Sequence, residues 1–244
     1  MNYEIFGDGD PLLLLHGWGG EINSMLPIIN TYKERYKVIV VDFPGHGKSD
    51  LASSWNVTDY MEYIHSFINS LGINDLIVLG HSFGGRVGIL LSATFPELVK
   101  KLILVDSGGI IPKRSLKYYF RLYSYKFAKH FMKLIIRDKE KYDEYIEEKR
   151  RKRSSNDFNA LKPEMRSTFI KVVNQNLKPY LKKISCPTLI IFGEFDEDTP
   201  VYMGKILHKG IKNSEFYVFE NCGHFAYLDD FAEFKKKTDS FLDK

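Results

Sequence analysis

Gly80-His-Ser82-Phe-Gly84 follows the apolar run Leu76–Leu79, and a small, apolar helical pattern follows the motif. A serine at the tip of a strand–turn–helix holds its Oγ out over the end of a sheet. Gly80 and Gly84 lack Cβ atoms, so strand and helix can close tightly around Ser82, and the helix start aims free N–H groups at the same point. A hydroxyl is a poor nucleophile until a base takes its proton, and the base needs a third group to fix its tautomer. His224, in Asn221-Cys-Gly-His224, directly follows the last predicted strand; Asp196, in Gly193-Glu-Phe-Asp196, directly follows the strand Leu189–Phe192. Each sits on its own loop, 114 residues from Ser82 to Asp196 and 28 from Asp196 to His224, so three loops can converge. Asp106, at the end of the strand Leu102–Val105, and Asp198 compete with Asp196 for the acid. His81 lies in the turn itself, and His16 and His46 read as structural. Acyl transfer also needs two N–H donors for the oxyanion. Phe83 N–H supplies one, and Trp18 N–H, from His16-Gly-Trp-Gly-Gly20, supplies the other, with Gly17 as its alternative. This chemistry requires no metal and no organic cofactor.

The elements that must position these loops are legible as short, near-continuously apolar strands: Leu12–Leu15, Val38–Val41, Leu76–Leu79, Leu102–Val105, Pro187–Phe192 and Phe216–Phe219, with Tyr3–Phe6 as a weakly alternating edge. Helical patterns separate them: Glu21–Tyr36, a helix capped by Asn56 or Thr58 and running to Leu71, one ending before Pro96, one near Pro200–His208 and a last one from Phe225. Apolar strands alternating with helices predict an α/β fold with a doubly wound, mostly parallel sheet, whose ligands bind beyond the carboxyl ends of the strands. Every loop singled out above lies at such an end.

Residues 112–178 break the pattern. They hold 19 Lys and Arg against 8 Asp and Glu, net +11, while the rest of the chain holds 16 against 23, net −7. Helical spacing in Lys117–Ile136 and Glu140–Lys152 predicts an inserted helical cap, or lid, at 112–178, with residues 1–111 and 179–244 forming the core. A basic cap favours anionic substrates. Arg86, four residues after Ser82, lies one turn along the same helix and faces either a core carboxylate or a substrate carboxylate.

Several function classes are excluded. No run of about 18 apolar residues exists, so no membrane span is expected. The N-terminus lacks a basic n-region and Leu12–Leu15 is too short for a signal core, which predicts the cytoplasm. Cys186 and Cys222 are too few for a disulfide framework or a cysteine metal cluster. Gly47-Lys-Ser49 lacks the glycine that a phosphate loop needs five residues before its Gly-Lys pair; Asp42 stands there. Arg150-Arg-Lys-Arg153 reads as a solvated helix end rather than a nucleic-acid contact. The expected partner is a small-molecule substrate.

His16-Gly17, Asp42-Phe-Pro-Gly-His-Gly-Lys-Ser49, Gly80-His-Ser-Phe-Gly-Gly85, Gly193-Glu-Phe-Asp196 with Pro200, and Gly223-His224 together resemble the α/β-hydrolase fold superfamily, in its small, lidded branch of ester and carbon–carbon hydrolases. The resemblance implies a Ser82–His224–Asp196 triad and a helical lid at about 110–180. Epoxide hydrolases and haloalkane dehalogenases of this fold carry Asp at the nucleophile position, where this chain has Ser82. Ser82-Phe-Gly-Gly-Arg86 is also similar to the menaquinone-pathway lyase that makes 2-succinyl-6-hydroxy-2,4-cyclohexadiene-1-carboxylate, which acts on a polyanion. The expected activity is hydrolysis of a small carboxylic ester. Alternatives are carbon–carbon cleavage or lyase chemistry on an anionic substrate, and a weakly catalytic ligand receptor on the same fold.

Overall fold

The central strands carry near-continuous apolar runs because the sheet is covered on both faces. In the strand Asp10–Leu15 (β2), Leu13 and Leu15 face one helical layer while Leu12 and Leu14 face the other, and all four are fully buried. The computed structural model describes residues 1–50, 54–113, 116–136, 138–153 and 161–244. Its seven strands are Tyr3–Phe6 (β1), β2, Tyr36–Val41 (β3), Leu76–His81 (β4), Val99–Val105 (β5), Thr188–Gly193 (β6) and Ser214–Phe219 (β7), in the order β1-β3-β2-β4-β5-β6-β7. Only β1 is antiparallel to its neighbour; all other pairings are parallel. This is the mostly parallel α/β architecture that the strand pattern predicts.

Val57–Ser70 (α2) and Phe83–Thr94 (α3) cover one face, and Leu26–Tyr32 (α1) covers the other. Asn56 caps α2, its Oδ1 accepting from the N–H groups of Thr58 and Asp59. Two predicted helices are divided. The one expected at Glu21–Tyr36 starts as a 3₁₀ turn at Ile22–Met25, where Ile22 N–H is held by Asp42 Oδ1 at 2.8 Å, and α1 proper ends at Tyr32. The one expected from Phe225 breaks at Asp230, whose Oδ1 accepts Glu233 N–H and starts a new helix.

The chain divides into two compact units, residues 1–111 with 167–244 and residues 112–166. The second is shorter than the expected segment 112–178, because specific bonds tie residues 172–177 to the core. Arg86 Nη1 donates to the carbonyls of Val172 at 3.1 Å and Gln175 at 3.2 Å. Gln175 Oε1 accepts Val57 N–H, and Leu177 N–H donates to Gly109 O at 2.9 Å. The second unit carries Leu116–Ile135 (α4), with five Lys and Arg and no acidic residue, and Lys139–Arg153 (α5). The helix Pro163–Asn174 (α6) runs out of the second unit into the first. Arg166 pairs with Glu147 at 3.1 Å, and Tyr142 OH donates to Lys129 O, within the second unit. Among the described residues no helix is long and apolar enough to cross a membrane.

Backbone approaches backbone closely where β2, β4 and α3 meet. A Cβ on Gly84 would stand 2.0 Å from Leu15 O, and one on Gly80 would stand 2.6 Å from the backbone of Gly84. Neither obstacle is a movable side chain. Gly84→Ala is expected to cost about 3 kcal/mol or more, at the upper end of overpacking effects. At 2–4 °C per kcal/mol that is a fall in Tm of roughly 6–12 °C by calorimetry. Gly72→Ala, at a φ of +69° with open space around it, should cost only about 1–2 kcal/mol, from backbone conformation alone.

Candidate active site

Ser82 sits between β4 and α3 with φ 51° and ψ −108°, outside the comfortable region for a residue with a Cβ. Strain of this kind costs about 1–3 kcal/mol and persists only where surroundings over-determine it. Here Ser82 N–H donates to Val105 O at 3.0 Å, and Ser82 O accepts Gly108 N–H at 3.1 Å, so β5 and its following loop clamp the turn. Two more non-glycine residues have positive φ, Asp106 at 45° and Asn221 at 58°. They stand just past the carboxyl ends of β5 and β7, on the same edge of the sheet.

The structure brings Ser82, His224 and Asp196 together. Ser82 Oγ lies 2.9 Å from His224 Nε2, and His224 Nδ1 lies 2.9 Å from Asp196 Oδ2. A carboxylate only accepts, so Nδ1 carries the proton and Nε2 offers its lone pair to the serine hydroxyl. Asp196 is held on every side. Its Oδ1 accepts the N–H groups of Asp198 and Thr199, both at 2.8 Å, and its Oδ2 lies 2.6 Å from Thr199 Oγ. Burial disfavours the Asp196 charge, but the His224 and Thr199 hydrogen bonds outweigh it and leave the pKa lowered. Burial likewise pulls His224 down, while its hydrogen bond to Asp196 and that carboxylate's charge lift the imidazole above 6.5 overall. Sequence reasoning misses Thr199. An Asp followed three residues later by Thr, just before a proline, is the local turn pattern that marks it.

His16, His46 and His81, at the same edge, are held neutral by burial. His81 is buried, donates from Nε2 to His224 O at 2.8 Å and is lowered to about 3 by burial. His16 accepts Phe43 N–H at Nε2, 3.1 Å, and lies 2.7 Å from Gly17 O through Nδ1. His46 is lowered to about 4, again by burial first. His16 and His46 fix loops, as their sequence context suggests, and His81 fixes the carbonyl of the base.

Phe83 opens α3, so its N–H has no carbonyl one turn back. Neither it nor Trp18 N–H donates a backbone bond among the described residues. The Trp18 indole packs edge-on against His46 at 4.7 Å, Phe83 at 5.3 Å and Phe169 at 5.2 Å between ring centroids. This builds an apolar wall from the two loops that flank Ser82. Trp18 Nε1 and His46 Nε2 are buried there without a partner among the described residues.

The competing acids separate. Asp198 is exposed and contributes its backbone N–H to Asp196. Asp106 is fully buried, but both of its oxygens take backbone N–H groups rather than the imidazole. Arg86 is buried and bonds carbonyls; among the described residues no carboxylate pairs with it, so the core acid that the sequence allows for is not its partner. Burial lowers its pKa to about 10, which leaves it charged. Asp196, Asp198 and His224 offer ligand atoms within 4.8 Å of one another, but a cation there would have to break the Asp196–His224 hydrogen bond. At the Gly47-Lys-Ser49 loop, Lys48 N–H donates to Asp42 Oδ2 at 2.8 Å, so an internal carboxylate occupies a donor that a phosphate would need.

Known proteins share this arrangement of fold and sequence. A 2-hydroxy-6-oxononadienedioate/2-hydroxy-6-oxononatrienedioate hydrolase of Escherichia coli O81 is 30% identical over 265 residues, covering 99% of this chain and 90% of the relative. A 2-hydroxy-6-oxo-6-phenylhexa-2,4-dienoate hydrolase of Comamonas testosteroni is 25% identical, covering 99% and 91%. The crystal structure of a membrane phospholipase A, a bacterial virulence factor, superposes with a TM-score of 0.75 at 27% identity over 99% of this chain and 81% of that one. The alpha/beta hydrolase fold family matches residues 10–231. With that match spanning nearly the whole sheet and every loop of the site, this chain belongs to the alpha/beta hydrolase fold family and is a hydrolase.

Proposed function

We propose that the chain is a serine-dependent hydrolase that cleaves a carbon–carbon bond beside a ketone in a small, anionic, conjugated oxo-acid. The observation that carries the nucleophilic mechanism is the continuous chain Ser82 Oγ–His224–Asp196, with 2.9 Å at each link. The elbow alone favours an ester as the default substrate. The names of the curated relatives move the reading to carbon–carbon cleavage, and the site's chemistry accommodates it.

In this reading His224 Nε2 takes the Ser82 proton as Oγ bonds to the ketone carbon. The oxyanion is held by the N–H groups of Phe83 and Trp18, each worth about 3 kcal/mol in the transition state. The carbon–carbon bond then breaks. Its electron pair goes to the leaving carbon, which a conjugated carbonyl can stabilise, and the His224 imidazolium returns the proton there. Water, deprotonated by His224, attacks the Ser82 acyl ester and frees the second acid. Asp196 keeps the imidazole in one tautomer and stabilises its charged form. Arg86, one helical turn from Ser82, carries a positive charge with no carboxylate paired to it among the described residues, and its field favours substrates that bring a carboxylate of their own. Residues 112–166, inserted between β5 and β6 after the carboxyl end of β5, are the segment assigned to substrate selection.

Turnover, substitution and titration test this reading. Wild-type protein should cleave a 2-hydroxy-6-oxo-dienedioate, followed as loss of its conjugated absorbance. Ser82→Ala should lose about 10⁴-fold or more in kcat, and a quench during turnover should trap an acyl adduct on Ser82. A preference for neutral short-chain esters over the oxo-acid would instead return the activity to ester hydrolysis. Arg86→Met should lower kcat/KM for the dianionic substrate about tenfold more than for a neutral ester, since a point charge distinguishes only the charged ligand. Asp196→Asn should slow turnover by about 10³–10⁴-fold. The same change should shift the His224 imidazole titration, read by NMR, downward from its wild-type position above 6.5, because it removes the charged hydrogen-bond partner that most opposes burial.

A further inference from the structure

Asp106 is the buried one of the two acids that the sequence ranks beside Asp196 and that the site does not use as its acid. It directly follows β5 with φ 45° and is 0% exposed. Its Oδ1 accepts Gly193 N–H at 2.8 Å and its Oδ2 accepts Ala226 N–H at 2.9 Å. Gly193 is the last residue of β6, three before Asp196, and Asp196 N–H turns back onto Gly193 O at 3.3 Å. Ala226 is two residues after His224. The Asp106 carbonyl lies 2.9 Å from Thr199 Oγ, which in turn lies 2.6 Å from Asp196 Oδ2. One residue thus holds the root of the acid's loop with one oxygen and the root of the base's loop with the other. The positive φ of Asp106 accompanies this reach, since its side chain must span the ends of two neighbouring strand loops.

We propose that Asp106 is a positioning residue whose ionised carboxylate registers the Asp196 and His224 loops against each other. This rests on the reading of His224 and Asp196 as base and acid. The requirement for ionisation is one of donors and acceptors. Both partners are N–H donors, so the group between them must accept twice. A carboxylate does so; a carboxylic acid or an amide presents a hydrogen to one of the two and loses that contact. Burial disfavours the ionised form, the two N–H bonds support it, Asp196 opposes it and His224 favours it, leaving the carboxyl pushed up to about 7. Tyr227 and Cys222 also lie in its field and are neutral there, both thiol and phenol being raised by burial. Among the described residues no cation pairs with it.

Acidification through neutrality therefore removes two things, the free lone pair of His224 and the register of its loop. The acid limb of log(kcat/KM) against pH should rise with a slope approaching 2 in wild type. In Asp106→Asn it should fall to a slope of 1, with kcat about 10²-fold lower, as for a small misplacement of a catalytic group, and KM little changed. A wild-type slope of 1, or an Asn variant that keeps both the steep limb and full kcat, overturns the proposal. Should the variant fail to fold, wild-type protein still decides. The amide ¹H–¹⁵N signals of Gly193 and Ala226 should titrate together near pH 7, and amides that stay unmoved from pH 5.5 to 8.5 also overturn it. Retained turnover in Ser82→Ala would remove the mechanism proposed above, whereas the amide titration needs no turnover and, repeated in His224→Gln so that no imidazole titrates beside Ala226, reports on Asp106.

Discussion

The site depends on two stretches of main chain lying closer together than side chains normally permit. Leu15 O, at the carboxyl end of β2, occupies the position a Cβ of residue 84 would take. Gly193 repeats the arrangement at the other end of the edge, where a Cβ would stand 2.1 Å from Gly223 O. The first contact brings the loop of Trp18 to the start of α3, where Phe83 N–H makes no backbone bond among the described residues. The second brings the end of β6 against the turn that carries His224. Reach, rather than the reactivity of any one side chain, is what the glycines of this sequence supply. They let three loops from separate strands meet over a distance that a single imidazole can span.

Charge at this edge is controlled by what surrounds each group. His16, His46 and His81 are buried with no carboxylate hydrogen-bonded to them among the described residues, and burial holds them neutral. His224, only slightly more open, is raised because Asp196 receives its Nδ1 proton in a hydrogen bond. The same contrast separates the two aspartates. Asp196 accepts from an imidazole, a hydroxyl and two amides and stays ionised, whereas Asp106 accepts from two amides only and is raised. Of the four imidazoles at this edge, His224 is the one with a hydroxyl, Ser82 Oγ, at one nitrogen and a carboxylate, that of Asp196, at the other.

Much of this is legible in the sequence, for physical reasons. A strand buried on both faces must be apolar throughout, so Leu12–Leu15, Val38–Val41 and Leu102–Val105 announce themselves without any alternation. A nucleophile on a strand–turn–helix needs small residues at fixed offsets, so Ser82 is marked by Gly80 and Gly84. Asp196 and His224 follow from their places directly after apolar strands. What the sequence conceals depends on long-range hydrogen bonds. Ile22 is drawn from a regular helix by Asp42, twenty residues away. The C-terminal end of the inserted segment joins the core through Arg86 and Gly109, whose partners lie beyond the reach of any local pattern. The division of labour between Asp106 and Asp196 is likewise set by which donors face them, and neither composition nor spacing records that.

The bond between Leu177 N–H and Gly109 O draws together the points where the chain leaves the core after β5 and returns before β6. Between those pinned ends the polypeptide behaves as a closed loop, and the entropy of closing a loop grows only with the logarithm of its length. Doubling the enclosed segment adds only about 0.6 kcal/mol. Insertions or deletions within residues 112–166, ahead of the stretch whose residues 172–175 bond the core, are therefore expected to cost the sheet little. A lineage of such proteins can exchange that segment while the carboxyl edge of the sheet stays as it is, and the two parts of the chain are free to evolve at different speeds.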